Sequence, residues 1–361
     1  MDEYEKTGHK EEIFVGNSLG WCECLHEAAE PGPSRTANII MIIGVLPVMS
    51  IVGVFFNVIN VIVFRTQRNV AARYLAALSC SDIGVCVAGV LVICADSLRA
   101  YNFFIDQLFV FLLPKLIPIG LFFQMLSVYI TVLAAMDCFY SVYRGTYADR
   151  KRERLAPRVL MMCVFFVAMY NAIQFLDLEA RECVHPTLNF SLYELCPTEL
   201  RISDAYVEIY KGYMYAASMA FIPFILLSFL TIGIISMLKR KESTNAIIAP
   251  GYVKEEGSPT VLLLVILLFL LCNVTSLLVN IFDMFKIDLG NFFQNVMIDI
   301  GNLLVVFNAT ANFVVYYFSS REYQEMADGL LGSFVKNSTP HRKKCPLDYG
   351  TTGPSKENEF L

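Results

Sequence analysis

A chain of 361 residues that is 56% apolar and 17% charged carries more hydrophobic residues than a soluble domain does, and its mean hydropathy is positive. The net charge of −5 offers no basic footprint for nucleic acid, so no such partner is expected. Seven stretches of membrane-spanning length leave little room for a further soluble domain.

In chain order, the first 36 residues alternate Glu, Lys and Gly without an apolar core. No cleavable signal peptide is expected there, and the first span serves as the insertion signal. The predicted spans are Ile39 to Phe64, Ala71 to Ala95, Leu108 to Tyr143, Arg158 to Leu176, Tyr206 to Leu238, Val261 to Met284 and Phe292 to Phe318. From Arg321 to Val335, Tyr323, Met326, Leu330, Leu331 and Phe334 fall near helical spacing, which predicts an amphipathic helix lying along the inner membrane surface. The expected fold is all-α, a seven-transmembrane helix bundle with a short amphipathic eighth helix. Its parts are an amino-terminal segment (1–36), the bundle (37–318) and a tail (319–361).

Most of the 28 Lys and Arg residues fall on one side of this arrangement. They include Arg65, Arg73, the run Arg150 to Arg154, Lys239 to Lys241, and Lys343 and Lys344 in the tail. The positive-inside bias makes that side cytoplasmic and the amino terminus extracellular, as in a multi-pass plasma-membrane protein with lipid as its surroundings. The sequon at Asn189, in the segment between the fourth and fifth spans, lies on the outer side and is an expected glycosylation site.

Of the eleven cysteines, Cys22, Cys24, Cys183 and Cys196 reach the oxidising side, and four thiols allow three connectivities. Cys183 and Cys196 share one polar loop, and joining them would restrict a lid. Pairing each with Cys22 or Cys24 would instead tie down the amino-terminal segment.

Asp82 is a lone carboxylate inside the second span, and charge at that depth usually serves function. Asn57, Ser127, Asn308 and Asn312 are its expected partners. Ringed by amides and hydroxyls, such a carboxylate stays ionised by coordinating a small cation such as sodium, or it holds a proton. A network that only glues helices together accounts for the same residues. No other cofactor is expected.

Tyr74-Leu75-Ala76-Ala77-Leu78-Ser79-Cys80-Ser81-Asp82 resembles the second-helix signature of rhodopsin-like G-protein-coupled receptors, with Asn57 and Pro223 standing where that family has its first-helix Asn and fifth-helix Pro. Phe269-Leu270-Leu271-Cys272 is similar to the family's sixth-helix aromatic-x-x-Cys. Asn312-Phe313-Val314-Val315-Tyr316 is similar to its Asn-Pro-x-x-Tyr box except at Pro. Cys272-Asn273, the run Ser127 to Val132, the run Asn302 to Asn308 and the run Cys196 to Arg201 further resemble invertebrate FMRFamide-type neuropeptide receptors. The resemblance implies an extracellular peptide ligand, a heterotrimeric G protein as partner, and activation switches at Asp137, Cys138, Phe269, Asn273 and Tyr316.

Departures from the family bear on coupling. Asp137-Cys138-Phe139 stands in place of Asp-Arg-Tyr, Asn273 stands where many relatives have Trp, and no proline lies near Thr275. No cysteine lies near Leu113, which removes the family's tether from the third helix and favours a Cys183–Cys196 bond.

An Arg-Phe-amide peptide would need carboxylates for its guanidinium and an aromatic slot for its ring. The outer helix halves offer Asp96, Glu208, Asp283 and Asp299, with Phe123, Gln124, Tyr206, Tyr210, Tyr213, Asn280, Phe282 and Asn302 as lining. Solvated acids and interfacial tyrosines are the plain alternative for these positions.

An enzyme is not expected. The four histidines lie outside the spans, and no paired acids occur at helical spacing within them. A transporter would want a polar stripe continuous across the membrane, whereas the polar residues here gather at the level of Asp82. A receptor fold that has lost coupling, a decoy or partner subunit, remains the main alternative.

Overall fold

In the computed structural model the described residues are 20–24, 33–67, 69–99, 101–145, 150–185, 190–248, 258–287 and 290–338. Among these described residues, seven helices are long and apolar enough to cross a membrane. They are α1 (Arg35–Thr66), α2 (Val70–Arg99), α3 (Phe103–Arg144), α4 (Lys151–Leu176), α5 (Tyr206–Lys241), α6 (Pro259–Phe282) and α7 (Phe292–Ser319). A further helix, α8 (Arg321–Ser338), follows a break at Ser320. Between α4 and α5, strands β1 (Leu178–Val184) and β2 (Ser191–Pro197) form an antiparallel hairpin.

Local chemistry sets the boundaries. Asn69 Oδ1 accepts the Ala72 N–H at 2.6 Å and Asn102 Oδ1 accepts those of Phe104 and Ile105, capping α2 and α3. The α3 helix ends at Gly145, whose φ of +69° suits glycine, with its N–H bonded to Ser141 O. At 42 residues α3 is about 63 Å long, twice the hydrocarbon thickness, so it crosses the membrane tilted or overhangs it.

The α3 helix runs through the middle, against α2, α4, α5 and α6, while α7 closes the ring on α1, α2 and α6. Small residues permit close approach: a Cβ on Gly53 of α1 would lie 2.4 Å from Thr310 Oγ1 of α7 and 2.6 Å from Cys86 Sγ of α2. On the amino-terminal side of the bundle α1, α2 and α5 contain π-helical turns, at Ile39–Val45, Gly89–Cys94 and Tyr206–Met214. The main apolar core lies toward the opposite side, where Ile130, Leu227, Ile234 and Ile266 are enclosed.

Tyr323 departs from the expected lipid-facing stripe of α8. It is buried against Phe64 and Tyr316, because α8 turns back onto the end of α1 and presents that side chain to the bundle.

Candidate functional site

The deep polar cluster forms where α1, α2, α3 and α7 meet. Asp82 is fully enclosed; Ser127 Oγ donates to its Oδ1 at 2.7 Å and Asn312 Nδ2 to its Oδ2 at 2.8 Å. Asn57 does not touch the carboxylate. Its Nδ2 donates to Gly53 O at 2.9 Å and across to Ala309 O at 2.8 Å, joining α1 to α7. Asn308 is buried, and its Oδ1, the Asn312 Oδ1 and the Tyr316 hydroxyl have no hydrogen-bond partner among the described residues.

A second chain of bonds starts at Asn57 and went unread in the sequence. Asn60 Nδ2 donates to Asn57 Oδ1 at 3.2 Å, and the Tyr323 hydroxyl donates to Asn60 Oδ1. The three-residue step from Asn57 to Asn60, one helical turn, was the available signal.

At the carboxy-terminal end of α3, Asp137 meets a guanidinium from a different helix. Arg152 of α4 donates through Nη2 to Asp137 Oδ2 at 2.6 Å and through Nε to Oδ1 at 3.1 Å. The cation missing at position 138 is thus supplied from α4. Cys138 itself is buried in the apolar core. Phe269 lies in that same core, while Asn273 Nδ2 turns back to Phe269 O at 2.8 Å along its own helix.

On the amino-terminal side, the proposed Cys183–Cys196 bond is replaced by two others, Cys22–Cys183 and Cys24–Cys196. Hairpin register is the reason. Cys183 sits opposite Leu192 and Cys196 opposite Glu179, so the two sulfurs are held several positions apart. The segment Gly20 to Cys24 runs alongside β1, with Cys22 N–H on Val184 O and Val184 N–H on Gly20 O. Glu194 of β2 accepts the Cys24 N–H at 2.8 Å. Gln107 of α3 fixes the hairpin by exchanging two 2.9 Å bonds with the Tyr193 backbone, taking over the tethering that a cysteine near Leu113 would have provided.

The expected ligand-binding residues are held by their own neighbours rather than by one another. Asp96 pairs with Arg99, whose Nε also reaches Asp106 at 2.8 Å. Tyr210 stacks between Tyr170 and Tyr206 and donates to Tyr170 O, facing α4. Phe123 lies over Gly84 of α2, and Asn280 bonds back to Ser276 O. Gln124 and Asn302 are half-buried and Tyr213 is exposed. The sequon Asn189 and the Asp283 side chain lie outside what is described. Asp299 of α7 is nearly buried and has no cationic partner among the described residues; Asn38 Nδ2 of α1 donates to both its oxygens, at 3.1 and 3.0 Å.

The sequence reading also missed a polar group that joins the end of α4 to α5. Lys211 pairs with Asp177 at 2.5 Å and donates to Gln174, while the Tyr206 hydroxyl donates to the other Asp177 oxygen.

Comparison with known proteins bears on the whole bundle. A model described as "7 transmembrane receptor (rhodopsin family)" matches residues 55–316. "Probable G-protein coupled receptor frpr-1" of Caenorhabditis elegans is 28% identical over 78% of this chain and 76% of its own length. "FMRFamide receptor" of Drosophila melanogaster is 24% identical over 88% of this chain, which spans 59% of that relative. "FMRFamide peptide receptor frpr-18" of Caenorhabditis elegans is 24% identical over 77% of this chain and 66% of its own length. With seven spans in place and most of their length matched, the chain belongs to the rhodopsin family of seven-transmembrane receptors, a family of receptors rather than enzymes.

Proposed function

We propose that this receptor sits in the plasma membrane with its amino terminus outside, binds an extracellular peptide ending in Arg-Phe-amide, and signals through a heterotrimeric G protein. Relatives named for FMRFamide support the ligand class. The orientation is supported by two disulfides on the amino-terminal side, which need an oxidising compartment, and by the cations gathered on the other.

Asp299 is the observation that carries the ligand reading. A single amide nitrogen reaches both of its oxygens, so the carboxylate presents its two-oxygen edge to one side, the approach a guanidinium fork uses for bidentate pairing. The peptide arginine would displace Asn38 there. Asp299→Asn should therefore weaken binding of a labelled Arg-Phe-amide peptide by on the order of 2–5 kcal/mol at normal surface expression. Unchanged affinity would move the pocket elsewhere or remove the ligand class.

The residues around Asp82 also fit a small hard cation, for which sodium is our proposal. The carboxylate has lone pairs beyond the two hydrogen bonds it accepts, and the donor-less Asn308 and Asn312 oxygens are further acceptors of the kind such an ion takes.

A second reading, binding without coupling, is favoured by Cys138, which is buried where the family presents a cation. Agonist-stimulated nucleotide exchange in reconstituted receptor separates the two.

A further inference from the structure

Gln107 of α3 holds the Tyr193 backbone, and its own orientation is set from α2. Its Nε2 donates to Asp106 Oδ2 at 3.1 Å and to Tyr193 O at 2.9 Å, and its Oε1 accepts the Tyr193 N–H at 2.9 Å. An ionised carboxylate only accepts, so Asp106 keeps the nitrogen end of the amide toward itself, which leaves the oxygen end for the Tyr193 N–H. Asp106 is held in turn by Arg99, the last residue of α2, whose Nε donates to Asp106 Oδ1 at 2.8 Å while Nη1 reaches Asp96 at 3.2 Å. The Arg99 side chain is 5% exposed, and a guanidinium enclosed to that degree keeps its carboxylates in place.

The contact lies on the open edge of β2. Val184 bonds through its N–H and C=O to Gly20 and Cys22, away from β2, and by the two-residue alternation of an antiparallel pair the backbone groups of Tyr193, opposite Glu182, point away from β1. Gln107 meets those groups as a neighbouring strand would. Phe103 and Phe111, one turn to either side of Gln107 on the same face of α3, pack edge-on against Phe190 and Tyr193, with ring centroids 5.8 and 4.6 Å apart. The two disulfides run from the hairpin to the amino-terminal segment and not to α3, so this row of three side chains is what fastens the hairpin to α3 at its β2 edge.

We propose that Arg99 is the positioning residue of the hairpin: through Asp106 it fixes the Gln107 amide, through the amide it fixes β2 against α3, and it thereby sets how fast a ligand enters and leaves past the hairpin. The hairpin joins the ends of α4 and α5 and packs on α3 on the amino-terminal side, where an extracellular ligand arrives. The ligand half of the proposal rests on the peptide reading above; the hairpin half does not.

The test uses the full-length receptor in detergent and reads backbone hydrogen exchange at Tyr193 by mass spectrometry, with no ligand present. Arg99→Gln and Gln107→Leu should each speed that exchange about tenfold, the protection one ordinary hydrogen bond confers. The double variant should be no faster than Gln107→Leu alone, because Arg99 acts through the amide. Asp106→Asn gives a second route that leaves Arg99 paired with Asp96: an amide at position 106 no longer dictates which way Gln107 turns, and the same gain is expected even where Arg99→Gln fails to fold. Arg99→Lys keeps a cation beside Asp106 and should recover part of the protection. Arg181→Gln removes an exposed ion pair with Glu179 on the hairpin itself and should leave Tyr193 unchanged. With a labelled Arg-Phe-amide peptide, association and dissociation should quicken together in Arg99→Gln, with little change in Kd. Wild-type exchange in Arg99→Gln and Asp106→Asn, additive gains in the double variant, or an equal gain in Arg181→Gln would overturn the proposal. Faster exchange with unchanged peptide rates would overturn its ligand half. A peptide that does not bind the wild type overturns the peptide reading instead, and the exchange rates still decide the role of Arg99.

Discussion

Arg152 on α4 grips Asp137 on α3 through two nitrogens, so the acid at the family's Asp-Arg-Tyr position is neutralised across helices rather than by its sequence neighbour. Both side chains are largely enclosed, at 11% and 16% exposure, which shields the pair from solvent. It ties the ends of α3 and α4 together and stacks over Tyr140, with the Arg152 guanidinium 5.6 Å from that ring.

Removing the guanidinium should release that end of α3. For Arg152→Gln we expect a loss of about 1–3 kcal/mol, somewhat below the value for a fully buried pair, together with raised agonist-independent nucleotide exchange. An Arg152→Gln receptor with wild-type melting temperature and basal exchange would show that the pair is incidental.

Sodium should stabilise the receptor through Asp82. Thermal unfolding in sodium chloride and in choline chloride at equal ionic strength should differ for the wild type, with the higher melting temperature in sodium. Asp82→Asn should erase the difference, because the amide keeps the size and one acceptor but lacks the charge that attracts the ion. Equal melting temperatures in both salts for the wild type would leave Ser127 and Asn312 as the whole of the site.

The disulfide pairing is open to direct mapping. Digestion without reduction should yield peptides joining Cys22 to Cys183 and Cys24 to Cys196, and no Cys183–Cys196 peptide. Cys22→Ser and Cys183→Ser should destabilise the roof equally, by about 2–4 kcal/mol, and the double variant should be no worse than either. Additive losses would mean that the two cysteines are not partners.

What the sequence made legible follows from where its physics is one-dimensional. The spans could be read because twenty apolar residues in a row have few other uses, and Asp82 stood out because a carboxylate there is expensive. The pairing of Ser127 and Asn312 with it needed only the expectation that a buried charge finds donors. Connectivity across elements was not readable. The disulfides depend on hairpin register, and Arg152 was hidden in a run of cations that topology alone explains. The amphipathic stripe of α8 likewise cannot tell lipid from a neighbouring helix, so Tyr323 was placed in the membrane surface when it is enclosed by the bundle.

Tyr323 therefore supplies a link with a measurable signature. Its hydroxyl donates to Asn60 Oδ1, Asn60 Nδ2 to Asn57 Oδ1, and Asn57 Nδ2 to Ala309 O, a chain that runs from α8 through α1 to α7. Burial pushes the hydroxyl pKa well above the ordinary tyrosine value, so it remains a neutral donor through the physiological range. Tyr323→Phe keeps the ring against Phe64 and Tyr316 but leaves the Asn60 oxygen without its donor, which should cost about 1–3 kcal/mol. Because the folded pKa is the raised one, the wild-type advantage should be constant below the unfolded value of about 10 and shrink only as pH climbs above it. Melting curves of the two proteins from pH 6 to 9 should stay a fixed interval apart. Coincident curves, or an interval that closes below pH 9, would show that the hydroxyl does not bear on the joint between α8 and α1.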